Sequence, residues 1–348
     1  MTAPHNETRL ARAVRMLLRY GVPLVISVGL CWLLFRGMDF GAMWATMRSE
    51  CDFAWMWGNI LLGIVAHVAR AARWQIQLRA LGIRSGLWEL TLSIFGTYSV
   101  NLVLPRLGEL WRTGFVAQRQ DAPFSKVFGS MVADRLADTI TVALLTLCAF
   151  TFAAPQLMSF IRPEETSAEP GEPSVLMALL TSPWLWGVLL LCGGLAVWML
   201  VRRPDHRIVR GVRKAVAGLW QGFAVIARMD GKARWLMLTL LLWGSYILSL
   251  WFAFHAFPLT ARVLDTYGFE ALMVCFVLTS ISMGVPSNGG IGPYQWALIF
   301  GLSLYPIPGL TRDYSAAFAN MVMGTSTVTL IILGLFTFGC IALSKNKK

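Results

Sequence analysis

The chain contains 348 residues, of which 56% are hydrophobic and 14% are charged, and its net charge is +12. A soluble domain is about 25% charged on average, so this composition excludes a disordered chain and disfavours a soluble protein. In so apolar a chain the excess of Lys and Arg indicates the cytoplasmic face of a membrane protein rather than a nucleic-acid partner. The six cysteines show no metal-ligand spacing, and we expect no metal and no other cofactor.

Six stretches have the length and apolar character of transmembrane helices, which need about 20 such residues. They are residues 20–35, 53–69, 127–154, 183–201, 235–257 and 315–343. Two further segments, 87–116 and 268–304, are interrupted by proline or glycine, and the part after the break is too short or too charged to span alone. We predict that both are re-entrant helical hairpins, because irregular backbone inside a membrane is tolerated only under a cover of protein or water.

The basic residues test this topology. Of the 30 Lys and Arg residues, 24 fall in segments 1–19, 70–84, 106–126, 202–234 and 344–348. These segments share one side of the membrane only if each hairpin returns to the side from which it enters. The positive-inside rule then predicts that both termini, the basic segments 1–19 and 344–348, are cytoplasmic.

The order helix, helix, hairpin, helix occurs twice, in residues 20–154 and 183–343. Each half crosses the membrane three times, so the second half is expected to be inverted relative to the first. The predicted fold is an all-α polytopic membrane protein with six full spans and two re-entrant hairpins. Inverted repeats with broken helices are typical of secondary transporters, whose sites lie near the midplane. The alternative is that these prolines and glycines are ordinary kinks.

Two connecting segments carry little chemistry. Residues 155–182 form an acidic outer loop, rich in proline. Residues 205–232 are basic and have apolar residues at near-helical spacing. This pattern predicts an amphipathic helix on the anionic inner leaflet, or a helix packed on the cytoplasmic ends of the spans.

The first hairpin contains six candidate site residues, which are Asn101, Pro105, Arg106, Gly108, Glu109 and Arg112. Pro105 is expected to begin the second half-helix, because proline suits the first helical position. The free N–H groups of that helix, together with Arg106 and Arg112, would favour a phosphate or carboxylate. Glu109 is spaced to pair with either arginine. The alternative is a cytoplasmic helix whose charges are solvated.

The second hairpin contains seven candidates, which are Pro286, Ser287, Asn288, Gly289, Gly290, Gly292 and Gln295. Glycines expose backbone N–H groups and permit the close approach of a ligand. Pro293 is expected to begin the following half-helix. The tip therefore offers an anion site, or a polar site through Asn288 and Gln295. The alternative is a tight turn packed against the other tip.

Charged residues also occur within predicted spans. Asp134 and Asp138 lie four residues apart on one helix face, with Arg135 between them. Ionisable groups at this depth are costly and face a wet cavity or a partner, for which Arg106, Arg112 and Arg135 are the candidates. The pair is as consistent with a structural ion pair as with a functional site. Two carboxylates are few ligands for Mg²⁺, which leaves a metal site as the weaker alternative.

Arg70 and Arg73 follow the second predicted span. Two interpretations remain open for this pair. Both are snorkelling anchors at the membrane interface, or both contact lipid headgroups at the mouth of a cavity.

Four motifs, HVARAARWQIQLRALG, NLVLPRLGELWR, DRLAD and VPSNGGIG, occur in this order. Together they resemble the lysylphosphatidylglycerol synthase transmembrane-region family of flippase-like membrane proteins, over about residues 15 to 343. The resemblance implies an integral protein of the inner membrane that moves lipids between leaflets. Its motif positions correspond to Arg73, Asn101, Pro105, Gly108, Glu109, Arg112, Asp134, Arg135, Asp138, Pro286, Gly289, Gly290 and Gly292. The family commonly has Glu where this chain has Gln295, which questions any proton or arginine binding there.

We therefore expect a lipid translocase that holds an anionic headgroup, of a phospholipid or a polyprenyl-phosphate carrier, between the two hairpin tips. We expect a transporter rather than an enzyme, since no soluble aminoacyl-transfer domain follows the membrane segment. The alternatives are a membrane-embedded lipid-modifying transferase and a non-catalytic subunit of a lipid or glycan synthesis system. The expected partners are membrane lipids, with a second copy of the chain, a synthase or a glycosyltransferase as further candidates.

Overall fold

The computed structural model describes residues 40–161, 229–285 and 287–345. All regular structure in these ranges is helical, which confirms the predicted class for this part of the chain. The nine helices are α1 (Phe40–Glu50), α2 (Phe53–Ala80), α3 (Leu87–Val103), α4 (Leu107–Arg119), α5 (Phe124–Ile161), α6 (Lys232–His255), α7 (Pro258–Ser282), α8 (Pro293–Ser303) and α9 (Arg312–Lys345). The predictions for residues 1–39, 162–228, 346–348 and Pro286 fall outside the described residues.

Three of the described helices have the length and composition to cross a membrane, namely α6, α7 and residues 312–343 of α9. Only 11% of the most apolar window of α9 is buried inside the protein. Large apolar side chains of α9 are therefore exposed, among them Ile332 and Leu335. Such a surface is stable only in contact with an apolar phase, which for a helix of this length is the lipid bilayer.

The predicted spans and the observed helices agree in part. The spans 235–257 and 315–343 coincide with α6 and α9, and the spans 53–69 and 127–154 lie within α2 and α5. The re-entrant position of the two broken segments stays a prediction. The remaining candidate span is α7. It begins at Pro258, ten residues before the predicted hairpin, and is interrupted at Gly268, which has φ 66°.

Both broken segments consist of two helices separated by a turn, α3–α4 and α7–α8. Pro293 begins α8, as expected. The expectation that Pro105 begins α4 is wrong, because α4 begins at Leu107. Pro105 is the second residue of a turn that the Leu107 amide closes on the Leu104 carbonyl at 3.2 Å. Arg106 is the third, with φ 63° and ψ 1°, which is the geometry of a type II turn.

Helices α2 and α6 form an antiparallel pair at the centre of the molecule. The Asp52 amide before α2 donates to the Ala256 carbonyl after α6 at 2.8 Å. About two turns further into the pair the Ser249 hydroxyl bonds to the Asn59 side chain. At the other end the Arg73 guanidinium lies 5.6 Å from the centre of the Trp235 ring. The two helices are therefore in contact along most of their length.

Most of the other helix contacts occur in matching pairs. Helix α3 packs on α9 as α7 packs on α5, α2 on α3 as α6 on α7, α3 on α4 as α7 on α8, and α4 on α5 as α8 on α9. Exchanging α2–α5 with α6–α9 thus converts each of these contacts into another. Two structurally similar halves, in contact through α2 and α6, would produce this arrangement.

Two hydrophobic cores lie on opposite parts of α2. One contains the carboxyl-terminal part of α2, including Trp74, with residues of α3, α4 and the start of α5. The other contains Met56 and Ala66 of the amino-terminal part of α2, with residues of α6, α7, α8 and α9. Helix α2 is therefore shared between the cores.

We predict that Gly58→Ala destabilises the α2–α6 pair by about 1–3 kcal/mol, because overpacking a helix contact forces side chains to move. A Cβ atom at Gly58 would lie 2.1 Å from Cδ1 of Phe252 on α6. The thermal unfolding midpoint of the purified protein in detergent measures this effect. Gly63→Ala is the matched control on the same helix, since a Cβ atom there meets nothing within 4 Å. Equal midpoints for the two variants would contradict the prediction.

Candidate functional site

The site is built on the carboxyl-terminal half of α2, where Arg70 and Arg73 lie one turn apart. Their exposed fractions are 3% and 0%, respectively. The interpretation of these arginines as snorkelling interface anchors is therefore wrong. Both side chains are directed toward α5 and interact with its carboxylates.

Asp134 and Asp138 on α5 are the partners of these arginines. Arg73 donates to Oδ1 of Asp134 from Nε at 3.0 Å and from Nη2 at 2.6 Å. The same Nη2 is 2.7 Å from Oδ1 of Asp138, and Arg70 Nη1 donates to Oδ2 of Asp138. Of the predicted partners, Arg112 lies 3.8 Å from Asp134 and Arg135 lies 3.9 Å from Asp138, whereas Arg106 bonds to the Gly284 carbonyl instead. The shorter contacts, from Arg70 and Arg73, were not predicted. These pairs form because α2 packs on α5. The spacing of charged residues within one helix does not reveal which two helices pack together.

Arg112 on α4 is fully buried, and the structure gives it no hydrogen-bond acceptor among the residues that it describes. Its guanidinium lies 4.6 Å from the centre of the Trp74 ring. The nearest carboxylate oxygen in its ion pairs is Oδ2 of Asp134, 3.8 Å from Nη2. None of its three side-chain nitrogens has a hydrogen-bond partner among the described residues. A buried charged donor left without an acceptor is costly, so this side chain is poised to receive an anionic group.

Arg135 connects α5 to α4 through Glu109. Its Nη2 atom lies 3.9 Å from Oε1 of Glu109, and its Nη1 atom lies 3.9 Å from Oδ2 of Asp138. Glu109 also accepts a hydrogen bond at 3.3 Å from the amide of Asn101 on α3. Glu109 therefore pairs with Arg135, and the prediction that it pairs with Arg106 or Arg112 is wrong.

We call these seven residues the arginine–carboxylate cluster: Arg70, Arg73, Arg112 and Arg135 with Glu109, Asp134 and Asp138. Four cations and three anions give it a formal charge of +1. Its hydrogen bonds are also unbalanced within the described ranges, where nitrogen atoms of all four arginines, but only one carboxylate oxygen of the cluster, are buried without a hydrogen-bond partner. The cluster can thus accept one further anion.

The cluster also bears on the predicted alternatives for Asp134 and Asp138. Both carboxylates are occupied by guanidinium groups in this structure. Within residues 40–161, 229–285 and 287–345, no group of three His, Cys, Asp or Glu residues is placed to hold a metal ion.

Gly108 and Asn101 fix α4 against α3 and so position Glu109 and Arg112. The Gly108 amide donates to Oδ1 of Asn101 at 2.8 Å. A Cβ atom at position 108 would lie 2.1 Å from the carbonyl oxygen of Thr97, so only glycine permits this approach.

The tips of the two broken segments are in direct contact. The Gly289 amide donates to the Asn101 carbonyl at 3.1 Å. The exposed Arg106 donates from its guanidinium to the Gly284 carbonyl. Arg106 is therefore engaged with backbone and is not part of the cluster. Asn101 links the tip contact to the cluster, because its carbonyl accepts from Gly289 and its side chain contacts Glu109.

The remaining predicted residues of the second tip shape the start of α8. Gly289, Gly290 and Gly292 have φ values of 64°, 91° and 95°, which L side chains rarely adopt. Gln295 accepts a hydrogen bond from the Gly292 amide at 2.6 Å and donates to Asn320 on α9 at 3.3 Å. Gln295 therefore caps α8 and connects it to α9.

The second tip also contains Ser287, whose hydroxyl donates to the Val285 carbonyl at 3.4 Å. Asn288 forms a turn in which its carbonyl accepts from the Ile291 amide at 3.2 Å. Both residues lie at the tip and outside the cluster.

Trp74, Tyr98 and Tyr246 also border the cluster, and the sequence did not single them out. Trp74 directly follows Arg73 in the chain, yet its ring packs against Arg112. Tyr98 interacts with Arg135 and Tyr246 with Arg70. Only the position of Trp74 within the same motif as Arg73 could have identified any of these aromatic residues.

We predict that Asp134→Leu destabilises the protein by roughly 3–5 kcal/mol, because the buried Arg73 loses two hydrogen bonds and keeps only the carboxylate of Asp138. The double variant Arg73→Met with Asp134→Leu should regain part of that loss, since it removes both charges. Unfolding midpoints in detergent measure the difference. The conservative control is Asp265→Asn on the exposed surface of α7, which should leave the midpoint unchanged. A double variant less stable than Asp134→Leu would contradict the assignment.

The comparison with known families identifies one family. Residues 22–334 match the family described as the lysylphosphatidylglycerol synthase TM region. The match includes every residue of the arginine–carboxylate cluster and both tips. Comparison with curated proteins and with solved structures gives no significant match. The matched range covers most of the chain, and this membrane protein therefore belongs to the lysylphosphatidylglycerol synthase transmembrane-region family.

Proposed function

We propose that the protein is a lipid translocase that moves lipids with an anionic headgroup, a phospholipid or a polyprenyl phosphate, between the leaflets of the inner membrane. The observation that carries this proposal is the buried Arg112 guanidinium, which has no hydrogen-bond acceptor among the described residues and lies in a cluster of net charge +1. Membership of a family related to lipid metabolism supports the substrate class.

The cluster has the donors that a phosphate requires. Arg112 offers its whole guanidinium, and Arg135 offers Nε and Nη2, which are buried without a hydrogen-bond partner in the part of the chain that the structure describes. A guanidinium binds two phosphate oxygens through parallel N–H donors, which fixes the orientation of the headgroup. Asp134 and Asp138 hold Arg70 and Arg73 in place, and Glu109 holds Arg135. The carboxylates thus position the arginines and leave the Arg112 donors available.

This site differs from the one expected between the hairpin tips. The tips are in contact through Asn101 and Gly289, and the open donors lie beside them in the cluster. Arg112 is 0% exposed, so the described conformation is an occluded one. A headgroup enters when helices around the cluster separate, while the hydrocarbon chains stay in the bilayer along the exposed apolar faces of the helices.

The matching pairs of helix contacts and the antiparallel α2–α6 pair support the proposed inverted repeat. In an inverted repeat, each contact that opens the site toward one leaflet has a counterpart that opens it toward the other. Alternation between the two openings would carry the headgroup across. We further propose that both termini are cytoplasmic, as the distribution of basic residues indicates.

A transferase would need Asp134 or Asp138 as a nucleophile or base. Because both carboxylates are held by arginines, we propose transport rather than catalysis. The alternative is a non-catalytic subunit of a synthase or glycosyltransferase, and a second copy of the chain is a further candidate partner. A non-catalytic subunit would not move lipid when purified alone, whereas a translocase would.

We predict that the purified protein, reconstituted into liposomes, moves fluorescently labelled phosphatidylglycerol between leaflets. Arg112→Gln should reduce the rate by about tenfold or more, because the neutral amide loses the charge-assisted bonds. The rate is measured as the loss of fluorescence when a membrane-impermeant reagent quenches the outer leaflet.

Arg119→Gln is the matched control, since Arg119 lies exposed on the same helix. Its rate should equal that of the wild type. Wild-type protein that moves no lipid, or an Arg112→Gln rate equal to that of Arg119→Gln, would overturn the translocase proposal. Unfolding midpoints of both variants show whether a change in rate reflects a loss of folded protein.

A further inference from the structure

A polar cavity lies where the loop between α2 and α3 meets the start of α3. Its volume is about 790 Å³, and its lining residues are Gln75, Arg79, Arg84, Ser85, Gly86 and Leu87. Cavities of this size hold small ligands and headgroups. None of the lining residues belongs to the arginine–carboxylate cluster, so the cavity is a separate place in the molecule.

The amino terminus of α3 faces this cavity. The helix begins at Leu87. Its N-cap residue is Gly86, and no side chain of the described residues forms a capping hydrogen bond there. The first N–H groups of a helix lack intrahelical acceptors and attract anions. A Cβ atom at Gly86 would meet nothing within 4 Å, so the space beside the cap is open.

Ser85 gives an independent indication of a ligand. The residue is 3% exposed and lines the cavity, and its hydroxyl has no hydrogen-bond partner in the part of the chain that the structure describes. Its backbone is fixed, because Gln75 donates from Nε2 to the Ser85 carbonyl at 2.8 Å. A buried hydroxyl without a partner is costly, and a ligand oxygen in the cavity would supply that partner.

The charges around the cavity favour an anion. Arg79 and Arg84 are exposed on the cavity wall. The one carboxylate in the first turn of α3 belongs to Glu89, whose Oε2 accepts a hydrogen bond from Gln120 at 2.8 Å. Two guanidinium groups, a hydroxyl and helix amides are the set of donors that binds a phosphate group.

An apolar edge borders the same cavity. Leu87 and Trp88 are 41% and 58% exposed, and the Trp88 ring contacts Phe336 of α9 at a centroid distance of 5.9 Å. Exposed tryptophan is typical of the membrane interface. A lipid whose phosphate lies in the cavity could therefore place its chains along this edge.

We propose that this cavity binds a phosphate group, of an anionic lipid or of a soluble anion, at a site independent of Arg112. The test uses the full-length purified protein carrying Arg112→Gln, so that the proposed anion site in the arginine–carboxylate cluster is disabled. Calorimetric titration with inorganic phosphate tests the soluble source. Native mass spectrometry with phosphatidylglycerol, and with phosphatidylcholine as the zwitterionic reference, tests the lipid source.

Two variants in this background test the site itself. Arg84→Gln should weaken binding about tenfold, since it removes one charge-assisted contact. Gly86→Asp should abolish binding and preserve folding, because aspartate at this position caps the helix and places a carboxylate at the anion site. The extended conformation of Gly86, with φ −69° and ψ 148°, suits a capping aspartate. Arg119→Gln is the matched charge control.

Binding of phosphatidylglycerol alone supports the proposal with a lipid as the source, and binding of inorganic phosphate supports it with a soluble anion. The proposal is overturned when neither probe binds to the Arg112→Gln protein, or when Gly86→Asp leaves binding unchanged. Every sample lacks the anion site of the arginine–carboxylate cluster. A negative result here therefore does not bear on the translocase proposal, which the liposome assay tests separately.

Discussion

The desolvated ion pair between Arg73 and Asp134 is the interaction on which the site depends. Both side chains are 0% exposed, and two guanidinium nitrogens donate to a single carboxylate oxygen. Removing two charges from water is costly, and the pair is stable only because each charge is matched in a fixed geometry. This requirement determines how α2 lies against α5. Arg70 and Asp138 repeat the constraint one turn further along the helices.

Helix α4 is held against the other helices of the site by close packing and aromatic stacking rather than by a short ion pair. Gly108 brings it against the α3 backbone, closer than any other residue would permit, and the Trp74 ring packs against Arg112. Stacking on an aromatic ring compensates a buried guanidinium only in part. Among the described residues, Arg112 therefore has no hydrogen-bond acceptor, whereas Arg73 donates from two of its three nitrogens to carboxylates. The contrast between Arg73 and Arg112 separates a positioning role from a binding role.

The sequence predicted the helical class, most helix positions and the family, because apolar periodicity, proline and glycine act locally. It also predicted that Asp134 and Asp138 need cationic partners. It named Arg112 and Arg135, which lie at 3.8 and 3.9 Å, but missed the closer Arg70 and Arg73. Spacing along one helix reveals pairs within that helix and not those between α2 and α5. The predicted start of α4 at Pro105 is two residues too early, because the chain reverses through a type II turn before the helix begins at Leu107.

The sharing of α2 between two cores has a consequence for how the chain folds. Its amino-terminal part is covered by α6, α7 and α9, and its carboxyl-terminal part by α3, α4 and α5. Neither half can complete its packing before the other arrives, so the two halves form one cooperative unit. A fragment containing only the first half would expose Met56 and Ala66 to its surroundings. Such a fragment would need an antiparallel helix from another chain to cover that face.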